Sequence, residues 1–302
     1  MYAGHFGLRE MPFTITPDTS FFFTHPVHQD ALNTLLIAAR MGEGFIKVTG
    51  EVGTGKTLVC RLFLAALEAD GNVVTAYLPN PCLGPAALLG AILEELGVAT
   101  PPGADQHVLL RALTGRLIDA HADGQRVVLC LDEVQAMPVE TLEALRLLTN
   151  LETEKRKLLQ IVLFGQPELD ARLASPSVRQ LLQRITFSCR LVPLSAAGVR
   201  AYLHHRLLVA GRDGSLFSTA AQWYLAHASR GFPRLINILS HKALLAAFGE
   251  GQARVQWRHA RAAAADTEGV WLPGAHAWRR YLSGTAVALA VSALALLWMR
   301  AR

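Results

Sequence analysis

The chain has 302 residues, of which 51% are hydrophobic, and a net charge of +5. This length is typical of one large α/β domain with a smaller one, and the apolar content is enough to bury a core. Residues 251–302 hold seven arginines and two acidic residues, which account for the whole charge surplus. Because residues 1–250 carry no net charge, broad nucleic-acid binding by that part is disfavoured. The four cysteines have no paired spacing, which argues against disulfides and a metal site and indicates a reducing compartment.

Residues 1–24 form an aromatic, turn-rich segment that fits few regular elements. Two interpretations of this segment are open: its phenylalanines pack onto the main domain, or they wall an adenine pocket. Thr24 is placed to cap a helix that runs from about Pro26 to Arg40. The buried face of that helix is predicted at the apolar positions Val27, Ala31, Leu35 and Ala38.

A glycine-rich stretch follows the next apolar run, residues 44–49, and precedes an apolar helical pattern. Strand, glycine-rich loop and helix is the arrangement of a phosphate-binding loop. Its glycines let backbone N–H groups turn towards phosphate oxygens, and the helix N-terminus adds positive potential. Lys56 is expected to reach the β- and γ-phosphates of ATP, and the Thr57 hydroxyl to ligate Mg²⁺. The residues expected to surround the phosphates are Gly50, Glu51, Val52, Gly53, Thr54, Gly55, Lys56, Thr57 and Leu58.

A second chemical signal comes at the end of residues 126–131, an apolar run typical of a strand buried on both faces. Asp132 and Glu133 follow, at the strand end where ligands bind in open α/β sheets. Asp132 is expected to hold Mg²⁺ through water, and Glu133 to act as the general base for the attacking water. Gln135 has two open interpretations, an ordinary residue leading into a helix or a contact to this site.

Further strands and helices are predicted from apolar periodicity. The strands are at about 72–77, 158–164 and 187–191, and the helices at about 85–97, 106–121, 138–151, 168–173 and 177–183. Gln166 lies just beyond the strand at 158–164 and is the candidate polar residue that contacts the γ-phosphate.

After Pro193 the pattern becomes helical and predicts a lid, with helices at about 195–208, 218–229, 235–248 and 257–265. Arg234, at the start of the third of these helices, is a candidate sensor of the nucleotide. His204 and His205 are adjacent on one helix and face different directions, which disfavours a metal site.

The C-terminal region predicts a membrane anchor. Residues 266–281 are typical of a linker, and residues 282–299 carry no charge and are flanked by arginines. Eighteen residues are at the short end of what spans a bilayer as a helix. A buried or an amphipathic terminal helix is the alternative, and the absence of a polar face in this stretch favours the membrane. Because the nucleotide site needs cytosolic ATP, we expect a single pass through the bacterial inner membrane with the preceding residues in the cytoplasm.

The order of these motifs resembles an AAA+ ATPase, most closely the secretion ATPases of the ExeA/GspA type. The more specific stretches are Phe6-Gly7-Leu8 with residues 12–18, residues 165–169 with 183–185, and residues 231–237. Residues 77–81 and the phosphate loop are similar to those of the accessory ATPases of mannose-sensitive hemagglutinin pilus biogenesis. The resemblance covers about residues 1–265. ExeA-type chains continue into a periplasmic peptidoglycan-binding part that this sequence lacks, so peptidoglycan binding is not expected.

This resemblance implies hydrolysis of ATP with Mg²⁺ by a homo-oligomer, expected as a ring, on the cytoplasmic face of the membrane. It also implies partners among pilus or secretion assembly proteins. In ring-forming ATPases, an arginine at the position of Arg184 reaches the γ-phosphate of the neighbouring subunit; Arg179 and Arg190 are the alternatives.

The expected fold is α/β: a P-loop (AAA+) parallel five-stranded sheet flanked by helices over residues 25–192, a helical lid over 193–265, and a terminal transmembrane helix. Two other functions are open. A DNA-transposition ATPase of the TniB kind is disfavoured by the neutral charge of residues 1–250 and by the apolar terminal stretch. A non-hydrolysing nucleotide switch is disfavoured by the presence of both Asp132 and Glu133.

Overall fold

The computed structural model describes residues 2–16, 18–148, 150–152, 157–213, 216–270 and 272. The chain divides into two units. The first, Thr16–Pro193, is called here the sheet unit. The second, called the helical unit, combines residues 1–15 with the described residues from Leu194 onward.

The sheet unit is built on five parallel strands, in the order β2-β3-β4-β1-β5. The strands are β1 (Phe45–Gly50), β2 (Val73–Leu78), β3 (Arg126–Leu131), β4 (Leu159–Gly165) and β5 (Phe187–Leu191). Its helices are α2 (Pro26–Met41), α3 (Lys56–Ala69), α4 (Pro85–Glu95), α5 (Gln106–Ala122), α6 (Val139–Leu148), α7 (Glu168–Leu173) and α8 (Arg179–Leu182). The predicted five-stranded parallel sheet is confirmed.

Helices cover both faces of this sheet. Along β3, Val127, Leu129 and Leu131 point into a core shared with α4, α5 and α6, whereas Val128 and Cys130 point into a core shared with α2 and α3. Successive side chains of a strand face opposite sides, so a strand covered on both sides must be apolar throughout. This burial explains the continuous apolar runs that precede the chemical motifs.

One expectation about α2 is wrong, because the residue that precedes the helix as its N-cap is His25 and not Thr24. In the first turn His28 is buried, and the predicted Val27 is half-buried and packs against the core. Pro26 occupies the first helical position, and a residue before proline is held extended, as His25 is at φ −84° and ψ 140°. The buried stripe therefore begins at His28 and continues at the predicted positions Ala31, Leu35 and Ala38.

The helical unit contains α1 (Tyr2–His5), α9 (Ala196–Val209), α10 (Thr219–Ala228), α11 (Pro233–Gly249) and α12 (Trp257–Ala265). The structure divides the aromatic N-terminal segment between the two units. Phe6 and Phe13 are buried within the helical unit, whereas Phe21 ends a short 3₁₀ helix, Thr19–Phe21, that contacts α3 of the sheet unit. Phe21 therefore packs within the sheet unit, as one interpretation expected, and Phe6 and Phe13 are buried in the helical unit.

Buried polar contacts fix residues 2–15 within the helical unit. Arg206 of α9 is only 4% exposed and donates hydrogen bonds to the carbonyl of Pro12 and to the Tyr202 hydroxyl. Asn237 of α11 accepts a 2.9 Å hydrogen bond from Tyr202 and donates one of 3.0 Å to the Thr14 carbonyl. Since buried polar groups must be paired, this network sets the path of the N-terminal segment.

Gly231→Ala is expected to destabilise the helical unit by about 3 kcal/mol. Gly231 has φ +80°, and a Cβ at this position would overlap the Leu194 carbonyl oxygen. The N–H of Leu194 also donates a hydrogen bond to the Gly231 carbonyl. The sequence of the sheet unit contains no tryptophan, whereas Trp223 and Trp257 lie in α10 and α12, so urea unfolding followed by tryptophan fluorescence reports the helical unit. Gly249→Ala, in open space at the end of α11, is the matched control and should leave the midpoint nearly unchanged. Equal midpoints for both variants would contradict this prediction.

Within the described residues, no helix combines the length and apolar character needed to cross a bilayer. The predicted span at 282–299 lies outside the described residues.

Candidate phosphate-binding site

Three neighbouring strands bring the predicted motifs to one edge of the sheet. In the pairing register, Thr49 of β1 lies opposite Gly165 of β4, and Leu131 of β3 lies opposite Leu163 of β4. The glycine-rich loop follows β1, Gln166 follows β4, and Asp132 follows β3. Because the strands are parallel, all three motifs emerge at the carboxyl edge, where ligands bind in such sheets.

The loop after β1 has the backbone of a phosphate cradle. Gly53 and Gly55 adopt φ +80° and +100°, a region that other residues rarely enter. Thr54 is fully buried, and its hydroxyl donates a 2.8 Å hydrogen bond to the Glu51 carbonyl. A Cβ at Gly50 would lie 2.7 Å from that hydroxyl. The loop therefore closes tightly on itself ahead of α3, which begins at Lys56.

Lys56 places a buried positive charge inside this loop. Lys56 is only 5% exposed. Its Nζ donates hydrogen bonds to the carbonyls of Gly50 (2.7 Å) and Glu51 (3.1 Å). Burial lowers the pKa of Lys56, and the nearby charges of Glu133 and Asp132 oppose that effect. A buried ammonium group beside turned backbone N–H groups is suited to bind an anion such as a phosphate chain.

Thr57 and Asp132 form the candidate Mg²⁺ site. The Thr57 hydroxyl donates a 2.8 Å hydrogen bond to Oδ2 of Asp132, which is 2% exposed. Burial raises the pKa of Asp132, and the hydrogen bonds from Thr57 and from the Glu133 N–H oppose the rise. Hydroxyl and carboxylate oxygens are ligands that Mg²⁺ prefers, so these two side chains fit the ion.

Glu133 is held by two amide side chains. Its Oε2 accepts a 3.0 Å hydrogen bond from Nε2 of Gln166 and another from Nε2 of Gln135. Glu133 adopts φ 55°, an unusual conformation for a residue with a side chain, of the kind that occurs at functional sites. Burial acts to raise the pKa of Glu133, but the hydrogen bonds from Gln166 and Gln135 and the charge of Lys56 outweigh it, so the pKa is lowered.

Gln135 contacts the site, which settles the two interpretations left open by the sequence. Besides its bond to Glu133, its Oε1 accepts a 3.0 Å hydrogen bond from the Gln166 N–H. Its backbone carbonyl is held by Arg172 of α7, which also donates to the Met137 carbonyl. Gln135 therefore links the ends of β3 and β4. Arg172 was not identified from the sequence, because a lone arginine in a short helix carries no local signal of such a contact.

His28 is a second contact residue that sequence reasoning missed. Its Nε2 lies 2.7 Å from the carbonyl oxygen of Thr54, inside the phosphate loop. The sequence signal that could have indicated this contact was a histidine on the buried face of α2, the helix that precedes β1 and the loop.

Arg184 belongs to the sheet unit, and Arg234 belongs to the helical unit. Arg184 precedes β5, whose first residue, Phe187, lies opposite Ile46 at the amino end of β1, whereas Leu191 lies opposite Gly50. Five strand residues span about 16 Å, so Arg184 lies at the edge of the sheet far from its own phosphate loop. Arg234 is exposed in the first turn of α11, within the helical unit.

Several known proteins are similar to this chain. A family model described as an AAA domain matches residues 39–173. General secretion pathway protein A of Aeromonas hydrophila is 41% identical over 290 residues, which is 96% of this chain. The chain spans about half of that relative's length, 52%.

Solved structures share the fold at low sequence identity. Cdc6p from Pyrobaculum aerophilum has a TM-score of 0.65 and 20% identity, covering 82% of this chain and 70% of its own. The Aeropyrum pernix ORC1 protein in complex with DNA has a TM-score of 0.64 and 23% identity, covering 85% and 69%. The Thermotoga maritima RuvB Holliday junction branch migration motor has a TM-score of 0.52 and 17% identity, covering 78% and 67%.

The residues that the AAA domain model matches, 39–173, include the phosphate loop and the acidic residues after β3, and the identity to one relative extends over almost the whole chain. Residues 39–173 therefore form an AAA domain, and the chain is a relative of general secretion pathway protein A.

Proposed function

We propose that this chain binds Mg-ATP in the loop Gly50–Leu58 and hydrolyses it with Glu133 as the general base. The observation that carries the proposal is the convergence of Lys56, Thr57, Asp132 and Glu133 at one sheet edge, with Thr57 and Asp132 joined by a 2.8 Å hydrogen bond. These are the parts that phosphoryl transfer to water requires: positioned phosphates, a metal site and a base.

Each residue has a separate role in this proposal. Backbone N–H groups of the loop and the Lys56 ammonium bind the phosphates, which offsets the burial of that charge. Thr57 and Asp132 would hold Mg²⁺, which neutralises phosphate charge when bound. Glu133 accepts the proton of the attacking water, and Gln135 and Gln166 orient its carboxylate. Gln166, which directly follows β4, also serves as the γ-phosphate contact.

Release of phosphate from ATP by the 302-residue chain tests this proposal. We expect turnover that requires Mg²⁺, is abolished by a chelator and is unchanged by double-stranded DNA. Acceleration by DNA would instead support the transposition-type function. Binding of Mg-ATP without turnover would contradict hydrolysis and support a nucleotide switch.

We further propose that the chain works as a homo-oligomer, because Arg184 precedes β5 at the sheet edge away from its own phosphate loop, and the resemblance implies that an arginine at this position reaches the γ-phosphate of a neighbouring subunit. Arg184→Ala should lose most turnover while still binding Mg-ATP. Mixing it with Lys56→Ala, which retains Arg184 but not nucleotide binding, should restore turnover above the sum of the separate variants. The same mixtures with Arg179→Ala and Arg190→Ala test the alternatives. An arginine supplied by a neighbouring subunit typically raises kcat by about 10³-fold or more. Absence of complementation for all three variants would contradict such an arginine.

The similarity to general secretion pathway protein A supports a proposal about the cellular role. We propose that the oligomer is tethered to the inner membrane through residues 282–299 and supports assembly of a secretion apparatus or a type IV pilus. A strain lacking this chain should fail to export the substrates or pilins of that machine. Complementation by the wild-type chain but not by Glu133→Gln would support a role for hydrolysis, and complementation by both would contradict it.

A further inference from the structure

His28 is a buried imidazole that joins the helix before β1 to the phosphate loop. The residue is 7% exposed, and its Nε2 lies 2.7 Å from the Thr54 carbonyl oxygen. A Cβ added to Gly55 would lie 3.1 Å from the same nitrogen. The ring therefore packs against the loop at the peptide between Thr54 and Gly55.

The protonation state of this imidazole follows from its contacts. A carbonyl oxygen only accepts, so Nε2 must carry the proton that it donates to Thr54. Nδ1 is buried and has no hydrogen-bond partner within the described part of the chain. Burial lowers the pKa of His28, the bond to Thr54 opposes this, and His25 adds to the lowering. His28 is accordingly a neutral donor with a fixed tautomer.

The bond to Thr54 sets the direction of the next N–H group. In a trans peptide the carbonyl of one residue and the N–H of the next point in opposite directions, and the described residues contain no cis peptide. Because His28 holds the Thr54 carbonyl towards α2, the N–H of Gly55 is directed to the other side of that peptide. Gly55 is the N-cap of α3, so this N–H belongs to the anion-binding end of the helix.

We propose that His28 is a positioning residue for nucleotide binding, which fixes the Thr54–Gly55 peptide so that the Gly55 N–H faces the phosphate chain. The inference rests on the proposed function, because it assumes that the loop binds phosphates. It assigns to α2 a direct part in ordering the loop. It predicts an effect on phosphate affinity that does not depend on the nucleoside.

Three variants at this position separate the hydrogen bond from the packing. In His28→Gln the side-chain amide nitrogen takes the place of Nε2, whereas in His28→Asn the amide is too short and takes the place of Nδ1. His28→Leu removes the donor and keeps an apolar group. His107→Leu, an exposed histidine of α5, is the surface control.

The measurement is the Kd of the 302-residue chain for Mg-ATP and for magnesium tripolyphosphate, together with the melting temperature without ligand. We expect His28→Leu and His28→Asn to raise both Kd values by about tenfold, since the loss of one well-aligned hydrogen bond has this order of effect. His28→Gln should restore both Kd values to within about twofold of the wild type. The surface control should bind as the wild type does.

Two outcomes would overturn the inference. If the Gln, Asn and Leu variants bind both ligands equally well, His28 has only a packing role, whatever their melting temperatures. If the Kd for Mg-ATP rises while that for tripolyphosphate does not, the effect is not on the phosphate cradle. A wild-type chain that binds neither ligand overturns the proposed function itself. If His28→Leu does not fold, the comparison of His28→Gln with His28→Asn decides.

Discussion

Replacing Lys56 with alanine is expected to weaken Mg-ATP binding by about 100-fold or more, since hydrogen bonds to charged groups contribute about 1.5–3 kcal/mol each. The ammonium group is buried beside the Gly50 and Glu51 carbonyls and supplies positive charge inside the loop. Without the ammonium group, the phosphates would face these carbonyls and the acidic residues that follow β3, Asp132 and Glu133, with no opposing charge. Isothermal titration with Mg-ATP measures the effect.

Lys157→Ala is the control for loss of a lysine charge. Lys157 lies at the start of the segment leading into β4 and forms an exposed ion pair with Glu152. Exposed pairs contribute little, so its removal should leave both stability and ATP affinity nearly unchanged. A Kd for Lys56→Ala that equals the value for Lys157→Ala would contradict the assignment of the phosphate site.

Glu133→Gln is expected to lower steady-state ATP turnover by about 100-fold to 1,000-fold while Mg-ATP affinity changes little. The variant has nearly the same shape, but its amide cannot accept the proton of the attacking water. In the wild-type chain, Gln135 and Gln166 both donate hydrogen bonds to the Glu133 carboxylate and so orient it. The expected signature is a protein that retains uncleaved ATP.

Glu168→Gln is the matched control for this variant. Glu168 is an exposed acid in the first turn of α7, close enough for its charge to act on Lys56. The substitution of Glu168 removes one negative charge near the same edge of the sheet and leaves Glu133 unchanged. If both variants lose turnover to the same extent, the effect is one of local charge, and Glu133 is not the base.

The sheet and the chemical motifs were predictable because their signals are local. A strand covered on both faces must be apolar, and phosphate binding needs glycines, a lysine and a hydroxyl at fixed spacing in one loop. Asp132 and Glu133 directly follow such a strand. Their approach to Thr57 follows from parallel pairing, which places all strand ends at one edge.

The contacts that order the site could not be predicted because they join residues distant in sequence. Gln135 meets Gln166 across the ends of two strands, and His28 meets Thr54 from another helix. The left-handed conformation of Glu133 is likewise unexpected for a residue with a side chain. Pattern alone also did not reveal which unit each part of the aromatic N-terminal segment packs with, since apolar composition carries no partner information.

The measurement that tests the central claim most directly is a single-turnover experiment with ATP bound to excess protein, quenched at successive times. It follows cleavage of the γ-phosphate itself, independently of product release. We predict that the wild-type chain converts bound ATP to ADP and phosphate with Mg²⁺ present, while Glu133→Gln retains ATP over the same period. Intact ATP on the wild-type chain, or equal cleavage by both proteins, would contradict Glu133-dependent hydrolysis at this site.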